Sequence, residues 1–382
     1  STAPFVQNWQ DHWVPVVFPL AAASSPSERK VSKGDRLDLV TFHDSLRIWF
    51  QVFPASGSAQ KKVKREHEVP PCVCGMHLIC NAERISMLTN ATRNAIYQAA
   101  VASAAERSTN VLDVSDGSFC SLLAAAHMPS PSVTSIESKE VSSRIFQQII
   151  DGNSLGDHIT VLCSGVKGLL HEHLHKNAPV DLLVGEPFYY AMQNLPIWQA
   201  LNFWYRRTAV QNLLAEKALV LPYSGKIMAM GVAFENLHKC FGEVHNVSGF
   251  DHGYFDALQG GYLSRDFPFP TYMYPYTPLT KPFELMPLNF MDPITSYGNR
   301  TTIPIEDTTT PLNAVILWVE YHLDASSKHI VATGPSCIEA KQAVRFVSIV
   351  PPSPANSLHY TVNFEASEGI IDYSFNVDSN AK

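Results

Sequence analysis

The segment Val111-Leu-Asp-Val-Ser-Asp-Gly-Ser-Phe119 constrains this chain more than any other. An apolar strand runs into a turn, and a short helix, Ser121 to His127, follows. That order is the nucleus of an open parallel sheet whose first strand–helix turn lies beside a nucleotide. A complete turn of this kind has a form such as V-L-D-x-G-x-G-x-G, because its backbone needs open dihedrals and a close approach to the ligand. Here Ser115 and Phe119 stand at two of the glycine positions, and Gly117 remains. Such a turn is either a working site of unusual form or the relic of one.

The flanking pattern supports the sheet. Strands are expected at 109–114, 132–137, 158–163 and 180–184, with helices at 139–151 and 196–216 and a long Ala-rich helical stretch at 83–107. Alternating strands and helices predict a parallel, doubly wound sheet. Beyond residue 217 short apolar strands dominate, at 218–222, 227–234, 314–322, 342–350, 358–364 and 370–376, which predicts a β-barrel or sandwich. Segment 263–292, rich in Pro, Tyr and Phe, reads as an extended arm or loop. Toward the N-terminus, 13–20 and 36–53 read as β-strands, and 54–68 as a polar, Lys-rich loop. A chain of 382 residues suggests two domains, each with a sizeable core.

Composition narrows the function. A net charge of -7 argues against a general nucleic-acid binder, and the basic run Lys61–Arg65 reads as a solvated loop. With no run of about 20 apolar residues, no membrane span is expected, and the first residues show no signal-peptide pattern. Seven scattered cysteines, an odd count, fit reduced thiols of the cytosol or nucleus better than a disulfide framework. The triplets beginning at Asn90, Asn246 and Asn299 read as chance matches to the glycosylation signal.

Two carboxylates are placed for chemistry on the sheet. Glu137 follows the turn by about 20 residues, where an acidic strand end binds ribose hydroxyls. Glu186 ends the strand Val180-Asp-Leu-Leu-Val-Gly-Glu186, at the sheet edge where catalytic groups gather. Elsewhere, Cys72, Cys74 and His77 form a Cys-x-Cys-x-x-His cluster with Gly75 allowing the bend, a donor set suited to tetrahedral Zn²⁺. Cys80, His43 and His67 are candidates for a fourth ligand, as is a residue from an upstream part; a pair of free thiols is the plain alternative. His171-Glu-His-Leu-His175 has the spacing of a zinc-protease helix, but Pro179 and the strand at 180 leave room for a short helix only. It reads as a solvated, His-rich turn.

Together, Val111–Phe119, Thr134–Glu137, Val180–Phe188 and the helix Leu201-Asn-Phe-Trp-Tyr-Arg-Arg-Thr-Ala-Val210, followed by barrel strands such as Trp318-Val-Glu-Tyr-His322 and Lys341-Gln-Ala-Val-Arg-Phe346, resemble the protein arginine methyltransferases. More narrowly, they are similar to the second module of the family's tandem, type III members, and Cys72–His77 resembles the zinc motif between the modules. The resemblance covers nearly the whole chain. It implies an α/β plus β fold: a degenerate Rossmann-like methyltransferase sheet at 83–216 and a β-barrel domain at 217–382 with an arm-like insertion near 251–292. Preceding these would be a zinc-binding linker at 67–82 and, at 1–66, the last strands of the first module's β-barrel.

The departures from the family pattern imply a non-catalytic second module. Active members clamp the substrate guanidinium between two glutamates; the first falls on Glu186, the second on Leu195, which accepts no hydrogen bond. A guanidinium so held would be half satisfied, at a cost of roughly 1–3 kcal/mol or more. Where the family has a Thr-His-Trp loop, this chain has Ile338, Glu339 and Ala340, and Phe119 would crowd the cofactor's methionine part. Asp113, Gly117, Glu137 and Glu186 would then be vestiges, with no cofactor expected in this module. Near the N-terminus, Trp9-Gln-Asp-His-Trp-Val-Pro-Val-Val-Phe18 resembles that loop in the first module, so that Asp11, His12 and Trp13 would edge the first module's site and the chain would begin inside that barrel. A buried His-Trp pair at a strand start is the plain reading of those residues.

The implied whole is an enzyme that makes monomethylarginine from S-adenosylmethionine bound by the upstream module. Its partners would be arginine-containing proteins such as histones or RNA-binding proteins and the first methyltransferase module of the same protein, with no direct nucleic acid and no membrane, in cytoplasm and nucleus. The second module would serve as an intramolecular dimer partner, held by structural zinc. The alternatives are an active methyltransferase within 83–382, using Glu137 and Glu186, or a pure scaffold.

Overall fold

The computed structural model describes residues 31–43, 48–54, 80–174, 177–259, 261–307, 309–349 and 356–378. The chain has two compact units, 1–78 and 79–382. In the first, β1 (Leu37–His43) and β2 (Ile48–Pro54) pair antiparallel, with His43 opposite Ile48 and Leu37 opposite Pro54, so the strand-rich stretch 36–53 is a hairpin. Residues 13–20, expected as a strand, lie outside the described residues, as do most of the expected barrel end at 1–66 and nearly all of the linker at 67–82.

The second unit opens with α1 (Ala82–Thr89) and α2 (Ala91–Ala105). The single helix expected over 83–107 is therefore broken, and Asn90 is the reason. Its backbone N–H ends α1 on the Met87 carbonyl, while its side chain caps α2 by accepting from the Arg93 N–H at 3.0 Å. Asparagine competes with helical backbone bonding and favours caps over interiors.

The sheet follows: β3 (Val111–Asp113), α3 (Cys120–His127), β4 (Val133–Glu137), α4 (Glu140–Gly152), β5 (Ile159–Cys163), β6 (Val180–Val184), α5 (Pro196–Ala209) and β7 (Leu214–Leu221). Its five strands are all parallel, in the order β5-β4-β3-β6-β7. β3 is central and wholly buried, as a strand covered on both faces must be. The chain winds one way from β3 to β5 and the other way from β6 to β7. The switch point lies between β3 and β6, where a crevice opens beyond the carboxyl ends of the strands.

Two expectations are corrected here. The helix expected over 196–216 stops at Ala209, and β7 joins the parallel sheet, so the sheet extends past the expected division at 216/217. α5 buries Ile197, Ala200, Leu201, Phe203 and Trp204 on one stripe; past Val210 the apolar residues serve a strand beside β6.

The barrel-like half comprises β8 (Ser224–Phe234), β9 (Asn246–Val247), β10 (Phe250–Asp251), α6 (Gly253–Gln259), β11 (Asp266–Phe269), β12 (Tyr276–Pro278), β13 (Phe283–Asn289), β14 (Tyr297–Pro304), β15 (Ala314–His322), β16 (Ile330–Ala332), β17 (Gln342–Phe346), β18 (Ser357–Glu365) and β19 (Ile370–Asp378). One antiparallel sheet runs β11-β17-β15-β8-β12, with β13 also on β8 and β16 on β15; a second is β14-β18-β19. The arm expected near 251–292 is thus shorter: β9, β10 and α6 make the excursion, while 266–289 supplies strands β11 to β13. Pro268 and Pro278 are compatible with this because β11 and β12 end their sheet and pair on one side. α5 joins the two halves: Phe203 and Trp204 meet Phe290 edge-on at 5.1 and 6.2 Å, and Trp204 stacks on Phe364 at 6.4 Å. Among the described residues no helix is long and apolar enough to cross a membrane.

Candidate active site at the switch point of the parallel sheet

Asp113 ends β3 and organises the turn. One carboxylate oxygen accepts from the Ser115 N–H at 3.1 Å and the other from the Ser121 hydroxyl at 2.9 Å, which ties the turn to α3. Burial pushes the Asp113 carboxyl up to about 6, against the pull of these bonds. Gly117 takes a left-handed conformation, φ +57°, that suits glycine. Its N–H donates to Glu137 Oε1 at 2.8 Å. Glu137, read from the sequence as a ribose ligand, therefore holds the backbone of the turn itself. Burial raises its carboxyl to about 7, with the Gly117 bond opposing.

The open face of Gly117 is covered. The Tyr190 hydroxyl lies 2.6 Å from where a β-carbon on Gly117 would sit. Tyr190 is fixed in turn by its backbone N–H, which donates to Asp116 Oδ2 at 3.2 Å. The other oxygen of Asp116 accepts from the Ser138 N–H at 3.3 Å and lies 3.8 Å from Arg206.

Glu186 is engaged on both oxygens. Oε2 accepts from Arg84 Nη2 at 2.8 Å, and Oε1 lies 2.5 Å from Arg93 Nη1. Arg84 Nη2 also donates to the Gly117 carbonyl at 2.6 Å, so one guanidinium spans the nucleotide turn and the strand-end carboxylate. Aromatic faces complete the cluster: Arg84 lies over Phe188 at 4.9 Å and Arg93 over Tyr97 at 4.8 Å. Tyr97 meets Phe119 edge-on at 5.6 Å, so Phe119 packs against α2. Burial alone would raise the Glu186 carboxyl; the two guanidinium charges and their hydrogen bonds bring it down to about 2.

Arg84, Arg93, Tyr190 and Asp116 were not among the residues read from the sequence. The obstacle is geometric. On one straight helix, residues nine apart face roughly opposite sides, about 180° around and about 13–14 Å along. The break at Asn90 is what brings Arg84 and Arg93 to one carboxylate.

Leu195 stands at the N-terminal cap of α5, 47 % exposed, and supplies no second acceptor beside Glu186. At the Ile338-Glu339-Ala340 position, Glu339 accepts from the Asn90 amide and, at 3.0 Å, from the Cys337 thiol. A cavity of about 200 Å³ lies there, lined by Arg93, Tyr97, Pro187, Tyr321 and Glu339 among others. His171–His173 is a single 3₁₀ turn, too short to set two imidazoles one α-turn apart, as a zinc-protease site requires. Asp11, His12 and Trp13, and the cluster Cys72, Cys74 and His77, lie outside the described residues. Among the described residues no three His, Cys, Asp or Glu side chains are grouped to hold a metal. In this arrangement the face of Gly117 holds Tyr190, Glu137 holds the turn's own N–H, and Glu186 holds two arginines.

A parallel sheet with its switch-point crevice, continued by a barrel-like half, is the scaffold of the protein arginine methyltransferases. Solved structures share it: the Trypanosoma brucei PRMT1 enzyme-prozyme complex with AdoHcy matches with TM-score 0.61 at 16% identity, covering 80% of this chain and 96% of that one. The Arabidopsis thaliana protein arginine methyltransferase 10 matches with TM-score 0.56 at 12% identity, covering 78% of this chain and 99% of that one. In sequence the chain resembles one member in particular, protein arginine N-methyltransferase 7, the tandem type III enzyme. The protein from Bos taurus is 31% identical over 96% of this chain and 54% of its own length, and that from Danio rerio 30% over 98% and 56%. The protein from Oryza sativa subsp. indica is 27% identical over 97% and 51%. The chain thus spans about half the length of the curated relatives it matches. No family model matches it.

Proposed function

We propose that this chain is the C-terminal part of a tandem protein arginine methyltransferase, and that residues 83–382 form its non-catalytic module. The observation that carries the reading is the self-satisfied edge of the sheet: Arg84 and Arg93 engage Glu186, and Tyr190 caps Gly117. A site kept for use holds its carboxylates and its glycine face for ligands; here internal groups take both. S-adenosylmethionine, bound by the upstream module, would supply the methyl group transferred to a guanidinium nitrogen of a protein arginine, giving monomethylarginine. Arginine-containing proteins, such as histones or RNA-binding proteins, would be the substrates, in cytoplasm and nucleus.

Within this reading the present module stands in for the second subunit of a methyltransferase dimer. Asp11, His12 and Trp13 edge the upstream site, and Cys72, Cys74 and His77 bind a structural Zn²⁺ that fixes the angle between modules. These roles rest on the resemblance of the residues to the family's motifs. Calorimetry of the 382-residue chain with S-adenosylmethionine tests the central claim: no heat of binding is expected, and micromolar affinity would overturn it. Metal analysis of the same protein is expected to give about one zinc per chain, lost on replacing Cys72 and Cys74; metal-free protein that stays folded removes zinc from the scheme.

A further inference from the structure

We infer that the cavity lined by α2 and the barrel strands β15 and β16 is a binding site for a small neutral carbonyl compound, a ketone or carboxamide with a compact hydrocarbon body. Its volume is about 200 Å³, and Met87, Ile96, Pro187 and Val331 give it an apolar wall. Two phenols interrupt that wall: Tyr97 of α2 and Tyr321 of β15 both line the cavity and are 1 % and 4 % exposed. Among the described residues neither hydroxyl has a hydrogen-bond partner. Tyr97 is held through its ring, edge-on to Phe119 at 5.6 Å and under the Arg93 guanidinium at 4.8 Å. A buried tyrosine hydroxyl ordinarily finds a partner within the protein. Two unpartnered phenols on one cavity therefore point to a group that arrives from outside.

The charges at the cavity are already paired. Arg93 lies 2.5 Å from Glu186, and Glu339 accepts from the Asn90 amide and, at 3.0 Å, from the Cys337 thiol. An ionic ligand would leave water with no free counter-charge to receive it, a loss that a buried site offsets only with a close partner. A neutral ligand avoids that loss. Burial pushes both phenols up, so each keeps its proton at neutral pH and can donate it to a hydrogen bond. The complement of two O–H donors is one oxygen with two lone pairs, which a carbonyl supplies; an ammonium or a guanidinium carries no acceptor at all. An apolar cavity of roughly 150 Å³ holds benzene, so this one has room for a body of about six or seven heavy atoms.

The test titrates cyclohexanone into the 382-residue chain and follows it by saturation-transfer NMR. A dissociation constant on the order of 1 mM is expected for a ligand of this size. Cyclohexylammonium and cyclohexanecarboxylate have the same ring with a charge, and each is expected to bind at least tenfold more weakly. Tyr97→Phe and Tyr321→Phe each remove one donor and keep the ring, and each is expected to weaken cyclohexanone roughly tenfold. Because the hydroxyls hold nothing within the described protein, the thermal midpoint of either variant is expected to stay within about one degree of the parent's. No transfer to cyclohexanone even at tens of millimolar would mean that the cavity receives water alone, and the inference falls. It falls equally if either ion binds as well as the ketone, or if both phenylalanine variants bind it as the parent does. The site goes beyond the proposed function and is separable from it. A chain that binds S-adenosylmethionine and still binds cyclohexanone through the two phenols would remove the non-catalytic reading and leave this site standing.

Discussion

At the carboxyl edge of the parallel sheet the buried side chains are Asp113, Asp116, Glu137, Glu186 and Arg84; in the barrel-like half they are Ile227, Val232, Leu285, Val315, Ile316 and Leu317. The depth of burial is alike and the physics is opposite. Apolar groups in the barrel gain from leaving water and need only contact. Each charge at the sheet edge loses several kcal/mol of hydration, which only a close partner offsets. Glu186 has two such partners, Asp116 has Arg206 and backbone N–H groups, and Asp113 has the turn and α3. The edge thus depends on charge partners and on pH, and the barrel depends on filled volume. That difference sets the edge apart from a core: the edge keeps its charges and gives them internal partners.

The comparison is broken most directly at Glu186. Glu186→Leu leaves two guanidinium groups buried without their carboxylate, and a loss of about 4–5 kcal/mol is expected in denaturant unfolding. In the barrel, Leu317→Ala removes a fully buried side chain from β15 and is expected to cost about 3 kcal/mol, with no dependence on pH. Should Glu186→Leu prove the milder of the two, the edge would not be held by its charges.

The pH response sharpens the contrast. Glu137 and Asp113 titrate in the folded chain at about 7 and about 6, above their ordinary values, so the folded state binds more protons than the unfolded one in that interval. Their contribution is complete below the ordinary carboxylate range and is lost as pH rises through 6 to 7. Glu186, held down to about 2, acts in the opposite sense: its contribution is present above the ordinary range and is lost as pH falls toward 2. Glu137→Gln keeps an acceptor for Gly117 and removes one titration; unfolding measured from pH 4.5 to 7 is expected to lose a slope worth roughly 2–3 kcal/mol. An unchanged slope would mean that Glu137 stays hydrated in the folded state.

The smallest effect is expected at Leu195. Leu195→Glu restores a carboxylate at the cap of α5, where the side chain is exposed, and is expected to shift stability by no more than about 0.5 kcal/mol. By calorimetry the variant is expected to bind S-adenosylmethionine no better than the parent, because Tyr190 and Arg84 still cover the turn. Binding gained by this single change would show that Leu195, and not the cover over the turn, governs binding there.

Much of the fold was legible because the signals are local. The run Val111-Leu-Asp113 is apolar enough for a central strand, the alternation from 109 to 184 reads as parallel winding, and Pro179 denies His171–His175 a long helix. Legibility failed where a local pattern was right in kind and wrong in extent. Asn90 broke a helix that Ala-rich periodicity carried through, and apolar residues after Val210 served a strand rather than a longer α5. The proline-rich segment 266–289 joined the barrel because its strands lie at sheet edges or bulges, a placement that depends on neighbours far along the chain.

The same division runs through the site. By itself the sequence determined where the turn and the two strand-end carboxylates stand, since strand, turn and helix propensities act within a few residues. That Glu137 turns back onto Gly117, that Tyr190 covers it, and that Arg84 reaches Glu186 across 102 residues were decided by the tertiary structure alone. A buried charge takes whichever partner the fold brings within hydrogen-bond reach, and no periodicity in the chain records which partner that is.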